Sequence, residues 1–107
     1  MYAILMTDKR LAQIGKRIAK IKTELAAIDE MRPGSLTRQY KDPKRQGGPY
    51  YQLSYTREMK SRTEYVPREW VRDVRRQIAT YKRFKALTTQ WIALSIEQCR
   101  LKMKCPR

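Results

Sequence analysis

Histidine is absent from the sequence, and cysteine occurs only at Cys99 and Cys105, near the end as given. A structural zinc site needs about four soft ligands at set spacings, so these residues exclude one built from a single chain. Two cysteines six positions apart make no disulfide framework, and a reducing compartment is the simplest expectation. Glycine is sparse at four residues, and none forms a phosphate-cradling loop. With no histidine, no serine elbow and no carboxylates at metal spacing, the usual acid, base and nucleophile assemblies are missing. The adjacent pair Asp29 and Glu30 cannot face each other on a helix and reads as surface charge. An enzyme is not expected, nor any cofactor, metal or small-molecule substrate.

Long hydrophobic runs are also lacking. MYAILM is apolar but has neither the basic start of a signal peptide nor the length of a membrane span, so the expectation is a soluble, cytoplasmic protein. Acidic residues are scarce: ten Asp and Glu face 25 Lys and Arg, a net charge of +15 on 107 residues. Self-repulsion at that density favours a polyanionic partner. Nucleic acid is the commonest such partner, because each neutralised phosphate releases condensed counterions. A membrane surface and an acidic protein are the rivals.

What is present divides into four parts of one domain, residues 1–107. The first is a helix over 8–30, with Thr7 or Asp8 as its cap. Its apolar residues Leu11, Ile14, Ile18, Ile21, Leu25 and Ile28 alternate steps of three and four, the pattern of a coiled-coil seam. Met31-Arg32-Pro33-Gly34 ends it, because Pro33 disfavours helical geometry at Arg32. A basic loop over 32–49 carries Arg38, Lys44 and Arg45, with Ser35-Leu36-Thr37-Arg38 open to a short strand or helical turn. A two-stranded β-hairpin over 50–66 follows, with Tyr51, Leu53 and Tyr55 on one face and Tyr50, Gln52 and Ser54 on the other.

A long helix over 67–103 completes the chain. Its apolar positions include Val71, Val74, Ile78 and Tyr81, then Phe84, Leu87, Trp91 and Leu94. The step from Tyr81 to Phe84 is three where the alternation calls for four. The fold expected is α+β and mostly helical: two long helices in an antiparallel coiled-coil hairpin around the basic loop and β-hairpin. A lone chain this small cannot cover a helix of about 50 Å, so a homo-oligomer or a larger nucleoprotein is expected to bury the seams. Leu11, Ile14, Ile18, Ile21, Leu25, Ile28, Leu87, Trp91 and Leu94 are the residues assigned to that contact.

The basic residues of the second helix are patterned. Arg68, Arg72, Arg75, Arg76 and Arg83 share one sector, with Lys82 on its edge, beside the apolar stripe. A solvated face is the bland explanation, but such faces usually mix signs, and arginine's planar fork suits phosphate and guanine. Lys60 and Arg62 on the hairpin and Arg38, Lys44 and Arg45 in the loop would add phosphate contacts. Most of the seven tyrosines read as half-buried strand material; Tyr40 and Tyr50, next to the basic loop, are the better candidates for nucleic acid. Trp70 and Trp91 stand at core spacing and read as packing. A hairpin entering a major groove is the one base-reading mode the pattern offers.

RPGSL at 32–36, GPYYQLSY at 48–55, and RTEYVP followed by VRDVRRQIATYKRFKAL resemble, in that order, a small prokaryotic family of unknown function. Its members look like accessory genes of mobile elements, often encoded near transposases. Many carry a Cys-rich insert between Gly-Ser-Leu and Gly-Pro-Tyr-Tyr; here the insert is KDPKRQG, without cysteine. The resemblance brings no catalytic residues. The function expected is non-catalytic binding of DNA or structured RNA. A coiled-coil adaptor for an acidic protein and an RNA-scaffolded ribonucleoprotein subunit are the alternatives.

Overall fold

The computed structural model describes residues 2–42, 44 and 47–105, with side chains described for 6–41, 44 and 48–105. In chain order the elements are α1 (Tyr2–Ala26), β1 (Ser35–Asp42), β2 (Gly47–Arg57), β3 (Lys60–Val66), a 3₁₀ turn (Arg68–Trp70) and α2 (Val71–Met103). The fold is α+β, with two helices and a three-stranded antiparallel sheet in the order β1-β2-β3. Its contacts form two compact units, Asp29–Lys82 and Met1–Ile28 with Arg83–Arg107, so α2 contributes to both. Among the described residues, no helix is long and apolar enough to cross a membrane.

The expected basic loop over 32–49 is corrected by the sheet. Residues Ser35–Asp42 form a full strand against β2, and the two-stranded hairpin becomes a three-stranded meander. An isolated two-stranded ribbon is marginal in water. SLTRQYKD places Leu36 opposite Leu53 and so adds an apolar side chain to the same face. Pro49 is tolerated in the central strand because β3 ends opposite Tyr51, leaving β2 with a single neighbour there.

Leu53 and Val66 from the sheet bury against Val71 and Ile78 of α2, with Leu36, Tyr51 and Val74 packed around them. Each buried aliphatic of this kind stabilises the unit by about 1.5–3 kcal/mol. Gly34 leads into β1 with φ +135, and a Cβ there would lie 2.7 Å from a Leu53 methyl and 2.9 Å from the Ser54 carbonyl oxygen. The Gly-Ser-Leu turn therefore requires its glycine. The Arg32 backbone N–H donates to the Gln77 carbonyl at 3.0 Å, and the Gln77 amide donates to Glu30 at 3.1 Å, which ties the incoming segment to α2.

In the other unit, α1 begins before its expected caps, so Thr7 and Asp8 are interior helical residues, and it ends at Ala26 rather than near 30. The last turn tightens as the Ile28 N–H donates to the Leu25 carbonyl at 3.1 Å. Ile14, Ile18 and Ile21 bury against Leu87 and Leu94, with Leu25, Ile28, Trp91 and Leu101 at the margin. Arg10 pairs with Glu97, Lys22 lies over Trp91, and Glu24 approaches Arg83, so the two segments run in opposite directions.

This pairing is shorter than the coiled-coil hairpin expected along both helices. From Val71 to Ile78, α2 spends its apolar stripe on the sheet. The irregular step from Tyr81 to Phe84 falls where α2 passes from one unit to the other.

Candidate nucleic-acid interface

Within the sheet unit, α2 buries Val71 and Ile78 and half-buries Val74. At about 100° per residue, Arg72, Arg75, Arg76 and Lys82 fall within roughly a third of the helix circumference, adjoining that stripe, and Arg68 lies in the 3₁₀ turn just before them. All five are exposed. Arg76 pairs with Asp73 at 2.6 Å, whereas Arg68, Arg72, Arg75 and Lys82 have no ion-pair partner among the described residues. Arg83 belongs to the helical unit, where its guanidinium stands 3.9 Å from Glu24.

Strand alternation decides where the sheet's charges go. The face carrying Leu53 and Val66 also carries Arg38, Arg57, Lys60, Arg62 and Glu64. Lys60 and Arg62 lie by the β2–β3 turn, with Arg57 directly opposite Lys60. That turn has both central residues at positive φ, Glu58 at 54 and Met59 at 64, and Met59 is 99% exposed. Arg38 and Tyr40 lie toward the other end of the strands, with the guanidinium 5.3 Å from the ring centre. Lys44 is exposed in the turn between β1 and β2, and Arg45 lies outside the described residues.

The structure thus brings the α2 cations together and the hairpin cations together, and places Arg38 with Tyr40 at the far strand ends. Tyr50 lies on the sheet face turned away from α2, half-buried.

Arg32, Tyr55 and Glu64 form a cluster the sequence pattern did not reveal. The Arg32 guanidinium donates to Glu64 at 2.7 Å and stacks over the Tyr55 ring at 4.8 Å, while the Tyr55 hydroxyl donates to the other Glu64 oxygen at 2.9 Å. The Tyr55 and Arg32 hydrogen bonds hold the Glu64 carboxyl below its ordinary range. Trp70, expected to pack, is instead 54% exposed beside Arg72 and Arg76. The 3₁₀ turn preceding α2 puts it off the buried stripe, which the helical periodicity could not anticipate.

Of the residues assigned to an oligomer contact, all but Leu11 belong to one hydrophobic cluster within the chain. Ile14, Ile18, Ile21, Leu87 and Leu94 are buried, and Leu11, Leu25, Ile28 and Trp91 are half-buried. Arg10 grips Glu97 through two hydrogen bonds, Nε to Oε2 at 2.5 Å and Nη2 to Oε1 at 2.8 Å, which hold the Glu97 carboxyl below its ordinary range. A second stripe on α2, with Ile92 61% and Ile96 47% exposed, lines a shallow groove with Trp91 and Cys99. Among the described residues, no three His, Cys, Asp or Glu side chains converge as metal ligands.

Fold and surface together define a small α+β protein whose sheet carries an arginine-rich helix on one face. Residues 6–76 match a domain of unknown function, DUF6788, and the chain belongs to that family. The Gly-Ser-Leu, Gly-Pro-Tyr-Tyr and Tyr-Val-Pro segments all lie within the matched span. No curated protein and no solved structure gives a significant match.

Proposed function

We propose that the protein binds nucleic acid, DNA or structured RNA, without catalysing a reaction on it. The observation that carries this reading is the set of exposed cations, Arg68 in the 3₁₀ turn and Arg72, Arg75 and Lys82 on α2, that form no ion pair with a carboxylate among the described residues. Glu69 and Asp73 are the acids beside them, and Asp73 is taken by Arg76, so the remaining cations of the sector can meet successive phosphates. Lys60 and Arg62, with Arg57, would reach the backbone from the hairpin, and Arg38 and Lys44 from the opposite strand ends.

The resemblance to genes found near transposases supports a role as an accessory of a mobile element, phage or larger nucleoprotein. Binding of a labelled duplex measured across a salt series tests the reading. Six simultaneous phosphate contacts predict a slope of log affinity against log salt of about −5 on duplex DNA. A flat response contradicts it.

A second reading is favoured by the exposed Ile92 and Ile96 stripe. With the α1 seam filled inside one chain, this stripe is the apolar helical surface left for a second copy or a partner protein. It supports a dimer, or an adaptor for an acidic subunit, compatible with nucleic-acid binding through the other unit.

A further inference from the structure

The sheet face turned away from α2 differs in kind from the rest of the surface. One third of the residues in the chain are charged, yet strand alternation leaves this face with Lys41 as its sole charge among the described side chains. In place of charge it carries hydroxyls, amides and two aromatic rings. Thr37 stands opposite Gln52, which stands opposite Tyr65, and Gln39 stands opposite Tyr50. No carboxylate is among the side chains described there.

Tyr65 is 68% exposed, and neither Tyr50 nor Tyr65 has a hydrogen bond or a stacked cation among the described residues. Tyr40 and Tyr55, on the opposite face, are each covered by an arginine. Tyr65 pairs with Gln52, which lies two residues along β2 from Tyr50, so the two rings are diagonal neighbours on one face. Diagonal neighbours stand about 7–8 Å apart, within reach of two successive nucleotides of an extended strand. Lys41 lies one step beyond the Gln39–Tyr50 pair, where it can meet a phosphate.

We infer that this outer sheet face is a stacking platform for unpaired RNA, with Tyr50 and Tyr65 each taking one base. The inference rests on the nucleic-acid reading above and names the substrate class for the sheet. An open strand face with two unstacked aromatic rings fits bases splayed from a single strand, whose π-faces a duplex keeps stacked. RNA is favoured because the Gln52 side chain and Thr63, opposite Ser54 on this face, offer groups that both donate and accept, suited to a 2′-hydroxyl.

The test is fluorescence anisotropy on the full chain with a labelled mixed-sequence oligoribonucleotide, the matching oligodeoxyribonucleotide and an RNA duplex. Y50L/Y65L is expected to weaken single-stranded RNA binding by about tenfold or more, with duplex binding little changed. Y50F/Y65F, which keeps the rings, is expected to retain it. Thermal melting checks folding, and should the double variant not fold, Tyr65→Leu alone at its exposed position carries the comparison.

Unchanged single-strand binding in the leucine variants overturns the inference, and equal affinity for the DNA strand overturns its assignment to RNA. If the tyrosine changes do nothing while R72E/R75E abolishes duplex binding, the platform is wrong and the proposed function stands. If the wild-type protein binds none of the three probes, both fall.

Discussion

Glu64 shows how a single side chain is set by partners that sequence spacing does not bring together. Tyr55 lies on the neighbouring strand and Arg32 in the segment before β1, yet both donate to its two oxygens. Glu64 is partly exposed, so the pair is a surface one of modest strength. Its carboxyl is held below the ordinary range, so the stabilisation is present above that range and is lost as pH falls from there through the lowered value. Glu64→Gln is therefore expected to lower the melting temperature at neutral pH, with the two proteins converging in acid. A gap that stays constant from neutral to acid pH would show that the ionised carboxylate contributes nothing.

Residues whose role follows from their own backbone chemistry were easier to foresee. Pro33 and Gly34 mark a turn on sequence alone, and Gly34 stands where a Cβ would strike Leu53. By contrast, Glu58 and Met59 occupy left-handed geometry usually taken by Asn-Gly, at roughly 1 kcal/mol or more each, and nothing in their identity announces it.

At the scale of elements, strong periodicity was legible and weak alternation was not. Ile14, Ile18 and Ile21 formed a clear stripe in the sequence and are buried in the structure. The strand face of Tyr51, Leu53 and Tyr55 is likewise the inner one, with Leu53 at its centre. Ser35–Asp42 was legible only as a short strand or helical turn over 35–38, because charged and polar residues dominate it and only Leu36 reaches the core. The outward direction of Tyr65 is of the same kind: it follows from the register with Gln52, which no local pattern records.

The helical seam was visible, but whether α1 would pair with its own chain or with a copy depended on tertiary contacts. Because those contacts are made internally, any self-association should use the Ile92 and Ile96 stripe. Light scattering is expected to report a dimer for the wild type and a monomer for I92E/I96E, whose changes lie on exposed positions. A monomeric wild type at every concentration tested would contradict this.

For the molecule as a whole, the decisive quantity is how the net charge of +15 is distributed. Composition establishes the excess but says nothing of its arrangement. Alternation along three strands and the phase of one helix put most of the described cations of the sheet unit on the side bearing α2, leaving Lys41 as the sole described charge of the outer face. The residues proposed to meet phosphate were thus legible as types, and their division between the helix and the two ends of the strands came only from the sheet register.

A diffuse excess and an organised stripe make different demands on a substitution of fixed charge. The direct comparison is duplex affinity at one salt concentration for R72E/R75E, on the α2 stripe, and K9E/K16E, the same charge change at exposed positions of α1. If the stripe is the binding surface, the first variant loses duplex binding by at least about tenfold more than the second, since it removes two phosphate contacts. Equal losses in the two variants would contradict that account.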